Sequence, residues 1–552
     1  MKSNRLGFLI LTIIVLMLSA CGGKTAEGLQ ETAQPAVQET AVVEEAQAEL
    51  LALWLAPYLP AGLTAQLALP DQVFEVSEQV DADLIIDVSA DHPLTQWVYA
   101  LVAPFDTITD EFSLLDLQAL WRGNVEQGAP VSHLILDGST KGVFEKLWGS
   151  ASLETVQVVS TDELLATARD VKNVWAIIPF EEVEPQWKVI AVDGQSPIQK
   201  TFNMNAYGLI VPFSIVGEAG PASEFEREYG PDSSQPVLPA VNRDADKLTT
   251  VILTGVTALS RGTAYLMEAN GMTYPAIDIG DILREADILH INNEVSFSES
   301  CPNPFANEYN DDNQIFCSKP EYIQLLEAVG TDVVELAGDH FMDWGEEAMY
   351  YTLDMYDQRD WPYYGGGANI SDGMKPILFE HNSNKIAFVG CNAKPPGYGQ
   401  ASADAPGAVH CDMQAMDAKV KDLIANGYLP IFTFQHIEYY KYTISDALVE
   451  DFHLAADAGA VIVSGSQAHM PHGFEFYKGA MLHYGLGNLF FDQYFESFPQ
   501  RQAFLDRHVF YDGRYISTEL ISIIFTDMAR PRLMTEEERV DLLNTVFAAS
   551  AW

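Results

Sequence analysis

Val333-Val334-Glu335-Leu336-Ala337-Gly338-Asp339-His340 is an apolar run that stops at a glycine, a carboxylate and an imidazole. Five other runs stop in the same manner. Thr249–Leu253 ends at Thr254-Gly255, Asp287–Ile291 at Asn292-Asn293-Glu294, and Ile431–Phe434 at Gln435-His436-Ile437-Glu438. Ala460–Val463 leads to Gly465-Ser466-Gln467-Ala468-His469, and Met481–Tyr484 to Gly485-Leu486-Gly487-Asn488. Helical patterns lie between several of them, at Glu321–Ala328, Gln414–Ala425 and Asp446–Ala458. Short β-rich runs alternating with amphipathic helices predict an α/β fold. Sites in such sheets form beyond the carboxyl ends of the strands. Six strands are therefore expected to deliver polar residues to one edge.

The residues at that edge carry two kinds of chemistry. His340, His436 and His469 follow separate strands, with Glu294, Asp339 and Glu438 beside them. Imidazoles and carboxylates in one place suit zinc, manganese or iron. They suit general acid–base work equally, and each alone is also an ordinary strand-end residue. No phosphate-cradling P-loop, H-E-x-x-H helix or G-x-S-x-G elbow is present in the sequence. The aromatics at 344–364 and 439–442 read as core packing and loop anchors.

Four segments together resemble the poly-γ-glutamate capsule biosynthesis (CapA) family, whose fold is metallophosphatase-like. They are Asp287-Ile288-Leu289-His290-Ile291-Asn292-Asn293-Glu294, Leu336 to Gly345, Tyr364-Gly365-Gly366-Gly367-Ala368-Asn369, and Tyr484-Gly485-Leu486-Gly487-Asn488-Leu489-Phe490-Phe491-Asp492. They occur in family order across about half the chain. The resemblance implies two β-sheets flanked by helices and a role in making, anchoring or remodelling an anionic surface polymer. Its site residues carry over as metal candidates Glu294, Asp339, His340, His436 and His469, and as ligand-binding candidates Asn292 and Asn488. His340, His436, Glu438 and His469 are the catalytic candidates. The sequence also departs from the family. Val256 stands where the family has a metal-ligating aspartate, and valine has no lone pair to give. After His436 the glycine is lost and the glutamate displaced, and only the last histidine of a G-H-H-P-H segment survives, as His469. The set that remains suits one divalent metal (manganese, zinc or iron) or none, and is a poor match for the bridged pair of a two-metal site.

Upstream, residues 48–215 form a separate α/β pattern, with runs at Ala82–Val88, Trp97–Val102, His133–Leu136 and Val174–Pro179. Ser113 with Asp116 starts a helix that Gly123 closes. This unit resembles phosphate-type periplasmic solute-binding domains, on its Ser113–Gly123 segment and the placing of Trp175–Phe180. Residues 216–245, rich in Gly and Pro, read as a linker, and residues 246–552 as the CapA-like domain. Beyond Gln500 one further strand, Ile516–Phe525, is expected, then a helix from Thr535 with Glu538 completing a capping box.

Lys2 and Arg5 precede an apolar run, Leu6–Leu18, and then Leu18-Ser19-Ala20-Cys21. Residues 1–21 read as a secretory signal resembling a bacterial lipobox, which implies lipid attachment at Cys21 and a polar spacer over 22–47. The remaining cysteines allow three pairings. In an oxidising compartment, proximity favours Cys301–Cys317 and Cys391–Cys411. The chain has 552 residues, 48% of them hydrophobic, and a formal net charge of −48. That charge repels phosphate backbones and argues against nucleic acid as a partner. Expected partners are the membrane, through Cys21, and a surface polymer or its synthase subunits. Two functions stay open at this point. One is a hydrolase or transferase with the histidines at work; the other is a tethered solute- or polymer-binding module with a degenerate metal site.

Overall fold

The strand Leu248–Leu253 is buried along its whole length, as its unbroken apolar and threonine sequence requires. In the computed structural model, which describes residues 50–217, 219–305, 314–397 and 399–552, this strand organises the C-terminal half. Ile288–Asn293 pairs with it in parallel on one side and Gln502–Tyr511 antiparallel on the other. The sheet continues through Val333–Glu335 to Tyr363–Tyr364 at one edge, and through Arg514–Phe525 to Pro531–Leu533 at the other. A second sheet has the order Ile377–His381, Asn384–Asn392, Leu429–Gln435, Ile462–Gly465, Ala480–His483, Phe474–Tyr477. Helices Met413–Ala425 and Asp446–Ala458 pack on it through Val420, Leu423, Phe452 and Ala455. Two β-sheets flanked by helices is the architecture that the C-terminal motifs imply.

Leu248–Leu253, Ile288–Asn293 and Val333–Glu335 run parallel in the first sheet, and Asn384–Asn392, Leu429–Gln435, Ile462–Gly465 and Ala480–His483 in the second, so within each set the carboxyl ends share a side. Register fixes which residues meet there: Asn292 lies beside Glu335, Asn392 beside Gln435, and Phe434 beside Gly465. A short strand, Val256–Thr257, is wedged between Ile288–Asn293 and Asn488–Phe490. Its approach depends on Gly255, where a Cβ would overlap the Gly487 carbonyl oxygen.

The first half is also α/β. Its sheet has the order Val73–Glu75, Leu51–Leu55, Leu84–Val88, Ile210–Gly217, Pro93–Pro104, Val174–Pro179, His133–Leu136, Val156–Val158. Ser113 caps helix Leu114–Trp121 by accepting from the Asp116 amide at 3.0 Å, as its spacing predicts. Residues 216–245 include a helix, Ala219–Tyr229, and bury Val237 and Leu238.

After Gln500 the structure differs from the single strand expected. Two long strands, Gln502–Tyr511 and Arg514–Phe525, form a hairpin, and Pro531–Leu533 pairs with the second. The turn is Asp512-Gly513, with φ of 49° and 75°. Such a pair supplies the positive φ values that a two-residue hairpin of matching twist needs. The capping box at Thr535 and Glu538 is present and opens helix Glu536–Ala548.

The two halves share this hairpin. Leu248, Val509, Tyr511 and Ile516 belong to the hydrophobic core of the N-terminal sheet. Phe105 of the first half packs against Phe474 and Phe476 of the second, at 5.9 and 5.1 Å between ring centres. Asp110 accepts from both Lys188, at 2.6 Å, and Arg539, at 2.7 Å.

Both expected disulfides, Cys301–Cys317 and Cys391–Cys411, are formed. The signal sequence, Cys21 and the spacer lie outside the described residues. Among the described residues no helix is long and apolar enough to cross a membrane.

Candidate metal centre

Glu294, Asp339 and His340 converge from two adjacent parallel strands. Each offers one ligand atom, and the three atoms lie within 4.8 Å of one another. The close approach needs Gly338, because a Cβ there would sit 2.9 Å from the Glu294 Cα. Glu294 is 1% exposed and Asp339 9%. Burial pushes the Glu294 carboxyl up to about 8, with the Asp339 charge adding to the rise and His340 opposing it. Burial works against the His340 proton too. The Asp343 carboxylate at 2.7 Å and the nearby Glu294 and Asp339 outweigh it and raise this imidazole to about 9. With Nδ1 held by Asp343, Nε2 is the nitrogen left to ligate, the carboxylate–histidine arrangement that metal sites use.

A ring of amides surrounds the acids. Gln467 Nε2 donates to Glu294 at 2.6 Å, and Gln435 Nε2 donates to Asp339 at 2.7 Å. Asn292 Nδ2 donates to the buried Glu335 at 3.1 Å, and Ser466 Oγ donates to the same carboxylate at 2.9 Å. The amide oxygens of Asn292, Gln435 and Gln467 are buried with no hydrogen-bond partner among the described residues. Buried acceptors left orphaned are uncommon and call for a cation or a donor beside them.

Lys394 supplies one cation from the chain itself. Its ammonium lies 2.6 Å from Asp339 Oδ2 and 2.9 Å from Glu438 Oε1. Burial favours the neutral amine, but these two carboxylates win and raise its pKa above the ordinary lysine value. In turn Asp339 and Glu438 stay below the usual carboxylate range: burial opposes their charge, and Lys394 with nearby imidazoles overcomes it.

The other candidates divide. His469 is close to this group: its Nδ1 meets Asn488 Oδ1 at 2.8 Å, and its Nε2 lies 3.3 Å from Gln467 Nε2. Burial holds it below its usual pKa, against the pull of Glu438. His436 turns elsewhere. Its Nε2 faces Asp451 of helix Asp446–Ala458 at 2.9 Å, and its Nδ1 accepts from the Ile437 amide. The sequence places it at the right strand end, but the residue after Gln435 points to the opposite side of the chain. His436 is thus outside the trio that the structure assembles.

Val256 lies in register with both Asn292 and Asn488. Its side chain joins Ala258, Val295, Phe316 and Phe491 in a small apolar cluster. Phe316 touches the His340 ring at 4.7 Å, and Phe491 the His469 ring at 5.3 Å. The residues present fit one divalent ion, on Glu294, Asp339 and His340 with the orphaned amide oxygens around them. They do not fit two, because one ligand position is a valine inside apolar contacts and an ammonium fills the space between Asp339 and Glu438.

Sequence reasoning missed Lys394, Gln435 and Glu335. A signal for Lys394 was available: Asn384–Asn392 is a seventh strand of the set, and Asn392-Ala393-Lys394 is its polar end.

Comparisons with known proteins agree with the motifs. Residues 250–493 match the family model of the bacterial capsule synthesis protein PGA_cap. The capsule biosynthesis protein CapA of Bacillus anthracis is 24% identical over 265 residues, 47% of this chain and 64% of that protein. The PGA biosynthesis protein CapA of Bacillus subtilis is 26% identical over 175 residues, 31% of this chain and 46% of that protein. The match therefore spans less than two thirds of either relative. Among solved structures, a putative 5'-nucleotidase from Staphylococcus aureus covers 54% of this chain and 58% of its own, at 12% identity and a TM-score of 0.33. An ABC-type phosphate transport receptor from Vibrio cholerae covers 26% and 70%, at 16% identity and a TM-score of 0.23. Over residues 250–493, then, the C-terminal half of this chain is similar to the bacterial capsule synthesis proteins, and the resemblance that its motifs carry is borne out.

Proposed function

We propose that this chain is an extracytoplasmic, cell-envelope protein that serves the synthesis or remodelling of an anionic capsule-type polymer. Its tether is the lipidated Cys21, and its working site is the Glu294–Asp339–His340 centre. The observation that supports this reading most is the convergence of those three side chains within the segment that matches the capsule synthesis family. These three residues would hold one divalent ion, which when bound supplies Lewis-acid polarisation of a carbonyl or phosphoryl oxygen. Around it, Asp343 holds the His340 ring in place through Nδ1. His469, neutral and fixed by Asn488, is the group placed to take or give a proton. The buried walls built by Phe316 and Phe491 restrict water.

The test is elemental analysis of the purified protein after manganese or zinc loading and desalting. One ion per chain that is lost in His340→Ala, with the fold intact by circular dichroism, is the expected result. No bound ion in either protein would overturn the metal reading. Turnover is checked on poly-γ-glutamate, on phosphate esters and on amides; His469→Ala should lower it at least 100-fold.

A second reading, a tethered solute-binding module, is favoured by one observation. A cavity of about 420 Å³ lies where the two halves meet, lined by Lys188, Ser196, Gln199, Thr518, Glu519 and Arg539. Its volume suits a small solute. A solute that raises the melting temperature through that cavity, with no turnover under any metal, would select this reading.

A further inference from the structure

Lys394 has a place in the site that its neighbours define closely. Its own amide donates to Asn392 Oδ1 at 2.9 Å, and Asn392 Nδ2 donates to the Ala337 carbonyl at 2.8 Å. That bridge ties the end of Asn384–Asn392 to the segment bearing Gly338 and Asp339. The Ala393 amide donates to the Gln435 carbonyl at 2.7 Å, which ties the same turn to the segment bearing Glu438. The lysine is 6% exposed, so its charge is not a solvated surface charge. It spans two carboxylates from different strands, at the distances of charge-assisted hydrogen bonds.

Asp339 is buried and Glu438 half-buried, and a carboxylate at the depth of Asp339 needs a cation beside it, because buried charge without a partner is costly. Divalent metals meet that need at about 2.0–2.6 Å from oxygen; an ammonium meets it at slightly longer range, with a smaller charge and no exchange with solvent. We propose that Lys394 is a built-in cation that takes the place of a metal ion between Asp339 and Glu438, so that the centre accepts at most one exchangeable ion. The inference rests on the proposed reading of Glu294, Asp339 and His340 only for the identity of that one ion. It goes beyond that reading in assigning the neighbouring position to the chain. A corollary is that removing the ammonium uncovers a vacant divalent-cation site made of Asp339 and Glu438.

The experiment counts manganese per chain, after loading and desalting, in wild type, Lys394→Ala and His340→Ala. The expected result is at most one ion in wild type and one more than wild type in Lys394→Ala. The melting temperature of the lysine variant should rise with manganese and fall with chelator by several degrees more than wild type does. Lys394→Met keeps the side-chain volume without the charge, and should gain the same ion if the alanine variant folds poorly. Calorimetric titration of wild type with manganese needs no variant: two sites there would overturn the proposal, and one or none would support it. An unchanged count in a folded lysine variant would also overturn it. Failure of the Glu294–Asp339–His340 reading looks different. Wild type would then hold no ion, while Lys394→Ala still gained one.

Discussion

At Val256 one side chain separates two chemistries. It occupies a strand position flanked by Asn292 and Asn488, yet it packs on Phe316 and Phe491. Val256→Asp should cost about 2–4 kcal/mol in metal-free protein, because a charge enters an apolar cluster. Manganese should recover part of the loss, since Phe316 brings that cluster against His340. Urea melts with and without the ion measure both effects. A second prediction concerns pH. Glu294 and His340 are raised to about 8 and about 9 from ordinary values of 4.5 and 6.5. Both bind protons more tightly in the folded state. The stability they contribute is full below pH 4.5, falls as pH rises, and is lost above about 9. In the absence of metal, Glu294→Gln should therefore show a shallower fall of its urea midpoint than wild type between pH 5 and 8. An equal slope in both proteins would mean that Glu294 does not titrate there. At this scale the sequence was readable where a residue's type settles its chemistry, as with Asp339 and His340. It was not readable for His436, whose strand end is right but whose ring faces Asp451; Lys394 follows a legible strand end, but its two carboxylate partners come from two other strands.

Among the elements, Asn384–Asn392 matters most to the site, and it is pinned. Cys391 bonds to Cys411, and the Cys411 amide donates to the Asn392 carbonyl at 2.9 Å. Replacing both cysteines by serine should cost about 3 kcal/mol by the chain-entropy account of a loop of this length. Because the strand carries Lys394 at its end, the site should loosen as well as the fold. Hydrogen exchange at residues 392–394 would report this; protection there equal to wild type would place the disulfide's effect elsewhere. Strand and helix identities were largely open to periodicity. Asp446–Ala458 and His133–Leu136 are found at the expected bounds. The missed strand, Gln502–Tyr511, carries an Asp-Gly turn between two alternating runs, which is the signal that identifies a hairpin. Within it Asp506 and His508 interrupt the apolar pattern although both are buried.

For the molecule as a whole, residues 50–552 form one compact unit. The joint between the halves is built on core residues, Val509, Tyr511 and Ile516 on one side and Phe180 on the other, with Phe180 and Tyr511 rings 4.9 Å apart, and ion pairs such as Asp110–Arg539 lie at its edge. Thermal unfolding should give a single transition, with calorimetric and van't Hoff enthalpies in agreement. Two resolved transitions would mean that the joint is weaker than its packing suggests. The shared hairpin bears on engineering as well. A builder who wished to exchange the N-terminal half for another binding module would be drawn to cut at the Gly- and Pro-rich stretch near residue 230. That cut would strip Tyr511 and Ile516 of their partners and leave Phe474 and Phe476 without Phe105. The halves are not interchangeable cassettes: a working chimera would have to redesign the outward face of the hairpin together with the module that sits on it.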